Sequence, residues 1–135
     1  MKLRARASTG VAIAALLVAI CLAGCSTEPS GRAAGVETSC LNLRSVVTNL
    51  EALRSWCLDH GDAAGAAAWL SGIDNSLKAE APAHARVRAV TDKLDAQVKL
   101  LSGADQKSTL EQLPDALSNV IDELIPARDS ACASV

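Results

Sequence analysis

The chain contains neither phenylalanine nor tyrosine, and its only aromatic side chains are Trp56 and Trp69. Sheet cores draw on aromatic and β-branched residues, whereas closely packed helices can be built from Leu, Val, Ile and Ala, so an all-α fold is expected. A membrane span needs about 20 apolar residues, and the apolar run from Val11 to Ala23 is clearly shorter. No Gly-rich phosphate loop, metalloprotease helix motif or elbow serine occurs. The histidines, cysteines and carboxylates do not converge as a general acid or nucleophile site requires, so no enzyme is expected. Basic residues, 13 against 15 acidic, supply no footprint for nucleic acid.

What is present begins with Lys2, Arg4 and Arg6, without an acidic residue, followed by the apolar run. This order is that of the charged and apolar regions of a secretory signal. The run ends Leu22-Ala23-Gly24-Cys25, with Ser26 next, where a conventional signal would end in an Ala-x-Ala pattern. That quartet resembles the lipobox of bacterial lipoproteins. The resemblance implies a diacylglyceryl group on the Cys25 thiol, cleavage between Gly24 and Cys25, and acylation of the new amino terminus. Residues 1–24 are then a signal peptide that takes Cys21 with it, and the protein is held to the extracytoplasmic side of the cell membrane. Two or more acyl chains give stable attachment, at about 0.8 kcal/mol per buried methylene. Ser26 stands where diderm lipoproteins retained in the inner membrane carry aspartate, and the choice of leaflet depends on whether the organism has an outer membrane.

The 111 residues that remain carry ten basic and 15 acidic side chains, a net charge of −5, and suffice for one small domain. Residues 25–35 comprise the lipidated cysteine and a polar, small-residue stretch broken by Pro29, Gly31 and Gly35, which reads as a flexible tether. A helical domain is expected over 36–126 and a tail over 127–135. The first helix, about Val36 to His60, shows apolar residues at Cys40, Leu43, Val46, Val47, Leu50, Leu53 and Cys57, with Gly61 placed to end it. Asp62 can cap a second helix with the stripe Ala66, Trp69, Leu70, Ile73 and Leu77. Pro82 suits the first turn of a third, with Val87, Val90, Leu94, Val98 and Leu101 inward and Gly103 as the stop. A fourth carries Leu110, Leu113, Leu117, Val120, Leu124 and Ile125, and Pro126 closes it. Pro114 interrupts that stripe without changing its phase, which favours a kinked helix over two separate ones. Short connections make neighbouring helices alternate in direction, so the expected architecture is an antiparallel up-down four-helix bundle, with a three-helix bundle plus a loose segment as the alternative.

Cys40, Cys57 and Cys132 lie in the exported domain, where disulfides can form. Cys40 and Cys57 share one expected helix and stand 17 residues apart, about 25 Å, far beyond disulfide reach. In an up-down bundle the start of the first helix and the end of the fourth share an end, so a Cys40–Cys132 bond is expected. Cys57 is the odd thiol, read as a small core hydrophobe, with an intermolecular disulfide or a ligand or redox role as alternatives.

The two ends of such a bundle differ chemically. Arg32, Lys78, His84, Arg86, Arg88 and Arg128 gather at the expected membrane end, either as a face neutralised by Glu28, Glu37, Glu80 and Asp129 or as a contact for anionic head groups. The distal end holds Trp56-Cys57-Leu58-Asp59-His60-Gly61-Asp62. Cys57 and His60 are half a zinc site with no second half following, so no metal site is assigned. A terminal cysteine pair bracketing helices, with an aromatic and His-containing corner after the first, is similar to the small helical haemophore-like proteins of actinobacteria. The similarity implies haem or metal binding, yet the haem-facing tyrosine of those proteins has no counterpart here. Trp56 and Trp69 are expected to staple the first helical hairpin. Gly65, Ala68, Gly72 and Ala79 form a small-residue stripe expected to meet a neighbouring helix or, alternatively, a partner. The expectation is a non-enzymatic envelope lipoprotein that binds an envelope protein through a tip of Trp56, Cys57, His60 and Asp62, without a cofactor. The alternative is a carrier of haem, a divalent metal or lipid.

Overall fold

Residues 30–135 are described by a computed structural model of the protein, with side chains from residue 35 onward. The expected signal peptide over 1–24, the lipidation of Cys25 and the first part of the tether lie outside the described residues. Within them the chain is all-helical, as α1 (Ser30–Asp59), α2 (Ala63–Lys78), α3 (Ala85–Leu101) and α4 (Gln106–Cys132).

Each helix exists because an apolar stripe recurs every three or four residues and the four stripes close on one another. Leu43, Val46, Val47, Leu50 and Leu53 of α1 meet Ala66, Leu70, Ile73 and Leu77 of α2, Val87, Val90 and Leu94 of α3, and Leu113, Leu117, Val120 and Leu124 of α4 in a single core. That core contains no aromatic ring; Trp56 and Trp69 pack against its edge. Four helices packed on one aliphatic core make a helical bundle.

Several boundaries differ from the sequence expectation. α1 starts at Ser30, six residues before Val36, so the end of the expected tether is helical backbone and includes Gly31 and Gly35. A glycine inside a helix costs about 1 kcal/mol relative to alanine, which weakens a helix without forbidding it. Among the described residues no backbone has a positive φ, so Gly61 and Gly103 do not end helices through left-handed caps. Gly61 is needed for a different reason, since a Cβ there would lie 2.9 Å from the Cys57 Cα.

Pro82 is not in the first turn of α3. It sits in the turn that leaves α2, where Glu80 and Ala81 donate to the Leu77 carbonyl and Ala83 donates to that of Glu80. Extended His84 then precedes Ala85, without a side-chain cap.

Pro126 does not close α4, which passes through both Pro114 and Pro126 to Cys132, so most of the expected tail is helix. An interior proline costs roughly 3 kcal/mol. Two features offset that cost here. Ala127 and Ala131 prolong the buried stripe beyond the proline, and Cys132 is bonded to Cys40. Pro114 is itself buried within continuous helix, and the Ser118 hydroxyl donates to its carbonyl at 3.1 Å.

Candidate functional site

The corner where α1 turns into α2 brings the expected tip residues together by specific contacts. Asp62 has extended backbone, and its carboxylate accepts the Gly65 N–H at 2.7 Å, satisfying one of the free amides at the start of α2. The Trp56 and Trp69 rings stand 6.1 Å apart and tilted by 55°, within the range of favourable edge-to-face packing. A Cβ on Gly65 would approach Trp56 Cη2 to 2.8 Å. Gly65 therefore makes room for an indole rather than for a helix backbone.

Of the four tip residues, three are engaged internally. Trp56 is stapled to Trp69, Asp62 caps α2, and Cys57 is a free, half-buried thiol against the core. Burial pushes the Cys57 thiol pKa up, so the thiolate is scarcer than in an exposed cysteine. His60 is exposed, and its backbone N–H donates to the Trp56 carbonyl. Sequence reasoning missed Leu58 between them, which is 65% exposed. Its place off the buried stripe of α1 was the available signal. No cluster of His, Cys, Asp or Glu able to hold a metal ion occurs among the described residues.

The opposite end is a clasp. Cys40 and Cys132 are joined by a disulfide, with Cα atoms 4.8 Å apart. Beside it the buried Glu80 accepts from Ser39 Oγ at 2.5 Å and from Asn42 Nδ2 at 2.9 Å, tying the first half of α1 to the residues after α2. Glu80 thus serves this polar junction through neutral donors. Lys78 instead reaches Asp74 at 2.5 Å and Asp95 at 3.4 Å, while Arg128 pairs with Asp129 at 2.8 Å. His84 and Arg86 line an open recess of about 360 Å³ with Pro126, Ala127 and Ser130.

Of the small-residue stripe of α2, Gly65 meets Trp56 of α1, and the rest is not covered by a neighbouring helix. Ala68, Gly72 and Ala79 are exposed, and a Cβ on Gly72 would meet nothing within 4 Å. The large stripe of Leu70, Ile73 and Leu77 occupies the helix seam, leaving Ala68 and Gly72 in a shallow groove of about 230 Å³ lined also by Asn42, Ser45, Asn49 and Trp69.

Two interhelical ion pairs complete the side chains that hold the elements in register: Lys78 of α2 with Asp95 of α3, and Lys93 of α3 with Glu123 of α4. No helix among the described residues is long and apolar enough to cross a membrane. No family model matches the chain, and neither the curated proteins nor the solved structures contain a match to it.

Proposed function

We propose that the protein is a lipid-anchored, non-enzymatic lipoprotein of the cell envelope, and that its exported part is an antiparallel up-down bundle presenting the α1–α2 corner to an envelope protein. The anchoring part of this reading rests on Leu22-Ala23-Gly24-Cys25 and the charged and apolar segments before it. The up-down order is supported by the cross-contacts. The first half of α1 meets both the end of α4 and the residues after α2, while Trp56 near the end of α1 meets Trp69 and Gly65 in the first half of α2.

The observation that carries the interaction reading is the contrast within the corner. Its frame is braced by two indoles, a capped helix start and two glycines under close contact, yet it offers Leu58 to solvent beside His60. A braced backbone loses little further entropy on binding, which favours the use of this corner in an interface.

The test is affinity capture from intact envelopes with full-length lipidated protein, beside Cys25→Ala, Leu58→Asp and Trp56→Ala. A defined protein retained by the parent and lost with Leu58→Asp, at unchanged helicity, supports the proposal. Equal capture by Leu58→Asp and the parent removes the corner from it. Haem, metal or lipid in the purified protein, with no retained partner, replaces it with a carrier.

A further inference from the structure

An ionisable residue lies inside the apolar stripe of α2. Asp74 is 2% exposed and follows Ile73 on the buried face. One carboxylate oxygen, Oδ2, is 2.5 Å from Lys78 Nζ one turn later. The other, Oδ1, is out of solvent and has no hydrogen-bond partner. A buried carboxylate oxygen without a donor is costly, and uptake of a proton relieves that cost directly. The same ammonium is 3.4 Å from Asp95 Oδ1 on α3. Carboxylates from two helices therefore converge on one cation, a trio with one negative charge in excess. Lys78 on its own helix and Asp95 on α3 are the charged groups that act on Asp74 among the described residues.

We propose that Asp74, Lys78 and Asp95 form a proton-operated clasp between α2 and α3. With both carboxylates ionised, one ammonium is divided between them. When Asp74 takes one proton from solvent the trio is electrically balanced, the acid hydroxyl can donate to Asp95 across the helix seam, and α3 is held more firmly on α2. No bond other than O–H forms and no electron moves.

The direction of titration agrees with the geometry. Burial raises the Asp74 pKa, Lys78 lowers it, Asp95 raises it again, and the net effect is upward. A carboxyl whose native pKa exceeds its unfolded value binds more protons when folded. Its contribution to stability therefore grows as pH falls through the native pKa, and is complete below the unfolded value of about 4. Each pH unit between the two values corresponds to about a tenfold gain in the folding constant.

The experiment is a carboxyl-carbon NMR titration of the full chain with its disulfide intact, run with thermal unfolding from pH 8 to pH 4.5 for the parent, Asp74→Asn, Asp95→Asn and Lys78→Met. The clasp requires Asp74 to titrate above the ordinary aspartate range. It requires the parent's unfolding midpoint to rise on acidification and Asp74→Asn to flatten that rise. Asp95→Asn, at a half-exposed position, must bring the Asp74 titration down, and Lys78→Met must push it up. Asp74 titrating at or below the ordinary aspartate value overturns the proposal. So does an Asp74 titration that ignores Asp95→Asn, an outcome readable even where Asp74→Asn does not fold.

Discussion

Replacing Cys40 and Cys132 together by alanine isolates what the disulfide contributes. The bond spans 92 residues, and the chain-entropy relation for a loop of that size gives about 4.6 kcal/mol at 25 °C. Alanine is the suitable replacement because Cys40 is 5% exposed, and a serine hydroxyl there would be buried without an assured partner. A domain of about 100 residues unfolds with an entropy near 0.2 kcal/mol/K, so the midpoint should fall by about 20 °C. The assay is urea and thermal unfolding followed by helical circular dichroism and by the fluorescence of Trp56 and Trp69, on the oxidised parent, the reduced parent and the double variant. Reduced parent and double variant should agree, and both should lie several kcal/mol below the oxidised form. A loss under about 1 kcal/mol would refute the reasoning, because it would mean that the ends of α1 and α4 stay together in the unfolded chain without the bond. Peptide mapping that joined Cys57 to either partner would refute both the pairing and the helix order proposed from it.

Three further outcomes follow from local geometry. Asp62→Ala removes the cap on α2 and should cost about 1 kcal/mol, read as a drop of roughly 5 °C in the unfolding midpoint with the Trp56–Trp69 emission unchanged in the folded state. Pro126→Ala should stabilise the protein by about 1–3 kcal/mol, since it restores a donor inside a continuous α4; no gain would indicate that the helix ends there. Cys57 should react with a thiol reagent at pH 8 several-fold more slowly than in the unfolded chain, because burial both raises its pKa and shields it; reaction at the unfolded rate would place it outside the packed edge.

The stripes of α1 to α4 were readable because each repeats at helical spacing and draws on the same few aliphatic residues. The cysteine pairing was readable because helix lengths and short connections leave few ways to bring residue 40 to residue 132. Local punctuation was less reliable. Pro126 looks like a stop, but the buried Ala127 and Ala131 and the bonded Cys132 beyond it outweigh a single missing hydrogen bond. Pro82, placed by rule at a helix start, is displaced because the chain first completes a turn on the Leu77 carbonyl. Asp74 was invisible as a core residue, since Asp and Lys four apart look the same on a solvated face as in a seam. The role of Asp62 in the corner was legible from its side chain alone. The reason for Gly65 was not, because the Trp56 ring that fills its space comes from another helix. Leu58 was legible only as an exception, an apolar residue off the buried stripe of α1.

The Cys40–Cys132 bond also changes what a cut would do. The connections between α1 and α2, α2 and α3, and α3 and α4 all lie between the two cysteines. A protease that nicks any one of them opens a covalent ring instead of releasing a fragment. The pieces remain tethered at a concentration set by the ring, and a nicked molecule can keep its helices docked where two separate peptides would drift apart.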